Sequence, residues 1–133
     1  MEYRILAGEQ VIADEIKKRF SIINVLDDLN VHSFPLAIPL MILFIIRRSG
    51  SDEPKQQLLF TVESDADTLI TQEIDYDFAE SSLVSRTIAE IGSLVITKPC
   101  KLTLSIKNDN NDTLRSICTH IYSATLSQTK FPA

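Results

Sequence analysis

The chain has 133 residues, 44% of them apolar, with a net charge of −5 and a pI near 4.9. That length suits one domain with a core of its own, and the composition excludes a disordered chain. The acidic balance argues against general nucleic-acid binding, which needs basic surface to neutralise phosphates, and two cysteines are too few for a disulfide scaffold.

The N-terminal Met-Glu-Tyr-Arg lacks the basic and apolar regions of a secretory signal. The longest strongly apolar stretch, Phe34–Ile46, contains prolines and is shorter than the roughly 20 residues that span a bilayer. These features predict a reduced cytoplasmic protein with neither membrane nor nucleic-acid partners. Asn111-Asp112-Thr113 matches a glycosylation acceptor but reads more simply as a polar turn.

Tyr3–Ala13 reads as a first strand, with Gly8 at a bulge. A short charged segment, Asp14–Lys18, leads to a second strand over Arg19–Leu26. Asp27–Ser33 is polar and irregular. Phe34-Pro35 and Ile38-Pro39 hold the next stretch extended, because a residue before proline avoids the helical region.

Strand three, Leu40–Arg48, is apolar on both faces: Leu40, Ile42, Phe44 and Ile46 on one, Met41, Leu43 and Ile45 on the other. A strand covered on both sides has this pattern. It belongs at the centre of a sheet, with its outer face covered by a loop, a terminus or a partner. Ser49–Pro54 is a turn cluster, Gln56–Glu63 a fourth strand and Thr68–Phe78 a fifth.

Ala79–Ile91 fits a helical stripe as well as a strand. Strand is favoured over Thr87–Thr97, where β-branched residues dominate and Lys98-Pro99 closes the run. Cys100–Lys107 alternates Leu102, Leu104 and Ile106 with polar residues, the period of a strand with one wet face. A turn at Asn108–Asp112 and a last strand, Thr113–Ala124, follow, and the tail Thr125–Ala133 looks loosely held. About eight short strands with little helix indicate an all-β, two-layer antiparallel sandwich or a small barrel, residues 1–133 forming a single domain. Leu102, Leu104, Ile42 and Phe60 are expected in its core.

These features together resemble a family of small bacterial proteins catalogued only as a domain of unknown function. Its members begin with strands like Ile5–Ala13 and Phe20–Leu26. They continue with a Phe-Pro and an apolar strand, here Phe34-Pro35 and Pro39–Ile46. Near the end come an apolar strand, a turn and a hairpin, here Leu94–Thr97, Lys98–Cys100 and Leu102–Ile121. This chain departs at the last turn, where a Gly-aromatic pair is usual and Pro99-Cys100 stands. The resemblance implies an immunoglobulin-like sandwich and no particular activity.

Chemistry has few footholds. Gly8, Gly50 and Gly92 cannot compose a phosphate-binding loop or a nucleophile elbow. His32 and His120 have no recognisable serine or acid context. With the last turn centred on Asn110, Cys100 lies opposite His120 and Cys118 opposite Leu102. The cysteines are then diagonal neighbours, read as two buried free thiols. Zinc would need further ligands, so no metal and no other cofactor is expected.

Two acidic clusters could serve calcium, which takes six to eight oxygens. If successive strands run antiparallel, the loops of Asp27, Asp28, Asp65 and Asp67 emerge at one end, where they could share an ion if side by side, and the Asn108–Asp112 loop emerges at the other. Solvated turns are the plainer explanation of both, since Asp and Asn suit turns. The basic triplet Lys17-Lys18-Arg19 reads as a solvated turn, and with no Trp, sugar stacking is poorly served.

The expectation is therefore a non-enzymatic interaction or accessory module with an unidentified protein partner. The apolar outer face of Met41, Leu43 and Ile45 is the candidate interface and favours a homodimer. Intramolecular cover by the loop Val31–Ala37 competes with that; strand two and Phe131 are further sources of cover. A calcium-dependent module built on the first acidic cluster is the alternative, and an enzyme of unrecognised type comes third.

Overall fold

The computed structural model describes residues 1–48, 55–78 and 82–124. The Ser49–Pro54 turn, the Thr125–Ala133 tail and Phe131 lie outside them. The described residues form nine strands and no helix: β1 (Glu2–Asp14), β2 (Arg19–Val25), β3 (Leu29–Val31), β4 (Leu36–Arg47), β5 (Lys55–Ser64), β6 (Asp67–Asp77), β7 (Val84–Ile96), β8 (Cys100–Lys107) and β9 (Thr113–Ser123). No helix among them is long and apolar enough to cross a membrane.

Sheet A has the order β2-β1-β4-β7 and sheet B the order β3-β9-β8-β5-β6. With β2 and β3 set aside, β1-β4-β7 facing β9-β8-β5-β6 matches immunoglobulin strands A-B-E facing G-F-C-C′. The disulfide-and-Trp pin of antibody domains has no counterpart, because the chain lacks Trp and β4 lacks Cys. Phe44 of β4 and Phe60 of β5 meet edge to face at the centre instead, centroids 5.1 Å apart. Leu102, Leu104, Ile42 and Phe60 are all fully buried around them.

Several sequence expectations change in detail. A ninth strand, Leu29–Val31, pairs parallel to β9 within the stretch read as irregular. Three residues are too few to display a period. Strand three extends back to Leu36 through Pro39. Pro39 is tolerated because β1 pairs with β4 only from Met41 onward, so Leu36–Leu40 has one neighbour, β7. The helix considered over Ala79–Ile91 is not formed across its described part, since Val84–Ile96 is one strand with a bulge opposite Leu40/Met41.

The last hairpin is shifted by one residue. Cys100 faces Ile121 and Cys118 faces Thr103, not His120 and Leu102, and a bulge at Ile106/Lys107 makes the difference. One residue of slip changes the face. Cys100 is buried in the core, whereas Cys118 is exposed on the outside of the sheet. The two thiols are therefore not diagonal neighbours, and only one of them is buried.

Arg48 ties the sheets together beside the β6–β7 connection. Its backbone N–H donates to the Leu83 carbonyl at 2.9 Å and its Nε to the Ser82 carbonyl at 3.1 Å. Its guanidinium lies 4.6 Å from the centre of the Phe78 ring.

Candidate functional site

β4 is apolar on both faces, so sheet B can hide only one of them. Its even residues from Leu40 to Ile46 fill the core. Met41, Leu43 and Ile45 emerge on the outside of sheet A. The register sets Leu43 between Leu6 of β1 and Ile88 of β7, and Ile45 between Arg4 and Arg86.

The β1–β2 hairpin roofs part of this face. Phe20 and Ile22 of β2 join Leu6, Leu43 and Ile45 around an open groove of about 320 Å³, with Lys18, Arg19 and Arg86 on its rim. Gly8 permits the close approach: a Cβ there would collide with Ile22 Cγ2 and sit 2.9 Å from the Ile23 carbonyl oxygen. Leu43 is 1% exposed although it lies outside the main core, and Met41 and Ile45 are half-buried. The Val31–Ala37 loop does not supply this cover, because Val31, Phe34 and Leu36 pack against the main core. Strand two does.

The turn at the hairpin's tip is built locally. Asp14 Oδ1 accepts hydrogen bonds from the backbone N–H of Ile16 at 3.0 Å and of Lys17 at 3.1 Å. Lys18 takes a left-handed conformation, φ 55°, to close it. Ile16 is left 94% exposed at the tip. A second depression, about 280 Å³, is lined by Ala13, Asp14 and Glu15 and shares Lys18, Arg19, Phe20 and Arg86 with the first. The two adjoin through these residues as one trough between Leu6 and the turn.

Among the described residues no ion pair engages Lys18, Arg19, Arg86 or Arg4. Glu2 is 3.9 Å from Arg47, and the Asp14 carboxylate is occupied by the turn. An apolar lining thus adjoins cations that have no ion-pair partner among the described residues, with the Asp14 and Glu15 carboxylates at the end nearest the turn.

No family model, curated protein or solved structure matches this chain. What it does must be read from its residues.

The other candidates have structural occupations. Asp28 Oδ1 accepts from the His120 backbone N–H at 2.8 Å and from Thr119 Oγ1 at 3.2 Å, and lies 3.6 Å from His120 Nδ1. The His120 N–H, above all, holds the Asp28 carboxyl below the usual carboxylate value. Asp65 Oδ1 accepts from the Lys101 N–H at 3.1 Å. Lys101 and His120 are partners across β8 and β9. The two aspartates therefore cap one rung from opposite sides, at the end of the sandwich expected from the sequence. Asp27 Oδ1 accepts from the Asp28 N–H at 2.8 Å, and Asp67 opens β6 opposite Ser64. Among the described residues no three His, Cys, Asp or Glu side chains converge as metal ligands. His120 stacks on Tyr122 at 5.8 Å on the outside of sheet B.

Of the interface candidates expected from the sequence, Leu43 and Ile45 line the trough and Met41 does not, while Lys18, Arg19 and Arg86 were not among those candidates. Lys18 and Arg19 read as a solvated turn, and Arg86 lay in the ambiguous segment. The available signal was the basic triplet heading a strand with Phe20 and Ile22 at alternate positions.

Proposed function

We propose that this protein is a non-enzymatic interaction module that docks a protein partner on the outer face of sheet A, beside the β1–β2 hairpin. One observation carries the reading: the face holds an open apolar trough whose rim cations have no partner among the described residues. Apolar surface framed by charge is the anatomy of a docking site. The homodimer expected through Met41, Leu43 and Ile45 would use the same face, with less apolar area to cover because Leu43 is already buried.

A photo-reactive phenylalanine analogue at Ile45 tests this in the native host. A discrete adduct with one identified protein, absent when the analogue sits at exposed Lys101 on sheet B, is the expected result. A self-adduct identifies a second copy as the partner. No adduct at Ile45, or the same products from both positions, overturns the docking face.

A further inference from the structure

The shape and charge of the trough specify what lies in it. Its two depressions share Lys18, Arg19, Phe20 and Arg86, so together they run from Leu6 and Leu43 to Ala13, Asp14 and Glu15 near the end of the hairpin. It is open to solvent along that length, whereas small-molecule sites enclose most of their ligand. Its apolar lining is Leu6, Leu43 and Ile45 of the sheet with Phe20 and Ile22 of β2, joined by the cationic Lys18, Arg19 and Arg86. At the tip of the same hairpin Ile16 stands almost fully exposed.

Resting on the docking reading above, we propose that the occupant is an extended protein segment alternating acidic and apolar side chains. A strand-like segment presents alternate residues to opposite sides. Its apolar residues would seat on Leu6, Ile45 and Phe20 while its carboxylates meet Arg19, Arg86 and Lys18. Guanidinium groups hold carboxylates in two-point contacts, which favours arginine on such a rim. Asp14 and Glu15 at the turn repel an acidic segment there, which directs its carboxylates to the Arg19–Arg86 stretch.

Fluorescence anisotropy tests the proposal with a fluorescein-labelled decapeptide in which Glu alternates with Leu and Phe. A matched peptide carries Lys in place of Glu. Saturable binding of the Glu peptide is expected, weakened about tenfold or more by the double variant Arg19→Glu, Arg86→Glu and by salt near about 0.5 M. Arg86→Gln should weaken it less, and Arg115→Glu, on exposed β9, should leave it unchanged. Thermal melts of each variant confirm folding. Equal affinity for the Lys peptide, unchanged binding in the double variant, or no saturable binding overturns the proposal. So does tighter association with vesicles of phosphatidylglycerol and phosphatidylcholine, or a dimer in sedimentation that excludes the peptide. An adduct at Ile45 together with a failed peptide leaves the docking face standing and removes only the acidic-segment chemistry.

Discussion

Lys107 Nζ lies 3.3 Å from Glu63 Oε1, and the pair spans the row formed by Thr61 and Ser105 on the outside of sheet B. Lys107 is opposite Leu59 and Glu63 opposite Thr103, each two residues along the strand from that row and on opposite sides of it. The two long side chains, 16% and 28% exposed, close over two small polar residues. Thr61 and Ser105 are each only 4% exposed as a result, although they point away from the core.

This cover isolates the Thr61 hydroxyl, which has no hydrogen-bond partner. A buried polar group without a partner costs free energy that an apolar isostere does not. Thr61→Val should therefore stabilise the protein by about 1 kcal/mol. Urea unfolding would show a higher midpoint at unchanged slope. A loss of similar size would mean that the hydroxyl is bonded.

Gly8→Ala should have the opposite effect. The new Cβ meets Ile22 and the Ile23 carbonyl, and a backbone oxygen cannot rotate away. Overpacking of this kind costs about 1–3 kcal/mol. Because the clash lifts β2 from the sheet, proteolysis near Arg19 should also accelerate. A variant as stable and as resistant as the parent would show that the hairpin is not held by this contact.

The two thiols should separate cleanly by reactivity. Cys118 is exposed beside Thr103 Oγ1, 3.8 Å away, while Cys100 faces the core. A thiol reagent under native conditions should modify Cys118 alone, and Cys100 only on unfolding. Two equivalents consumed at one rate in the native protein would contradict the register of β9.

Acid should loosen β3. Asp28 has its carboxyl held below its ordinary value, chiefly by the His120 N–H, with help from Thr119 and the nearby imidazole. A carboxylate with a lowered folded-state value binds fewer protons folded than unfolded. Its contribution is complete above the unfolded value and lost as pH falls through the folded one, below about pH 4. Amide exchange should show His120 and Leu29–Val31 losing protection there before the rest of sheet B. Asp28→Ala should show the same loss already at neutral pH. Uniform protection down to global unfolding would exclude this role.

Strand existence was legible where burial imposes a simple period. Cys100–Lys107 alternates because one face is dry, and β4 is apolar throughout because its inner face fills the core while its outer face lies partly under β2. Two kinds of information were not legible. The bulge at Ile106/Lys107 moved Cys118 from one face to the other, because a single extra residue in a ladder leaves no mark on hydrophobic alternation. The closure of β2 over Leu43 was likewise hidden, since it depends on space at Gly8, and Leu29–Val31 takes its strand form from β9 rather than from its own residues.

The pairing of β3 with β9 also orders events during synthesis. Leu29 aligns with Ile121 and Val31 with Ser123, and Ala124 N–H donates to the Val31 carbonyl at 2.9 Å. β3 thus waits for a strand made much later than itself. A nascent chain halted before Thr113 has no β9, so β3 and the Asp28 cap have nowhere to dock, and β8 stands as an open edge. Such a chain should be cut readily between Val25 and Leu36, and protection should appear only once Ala124 has left the ribosome.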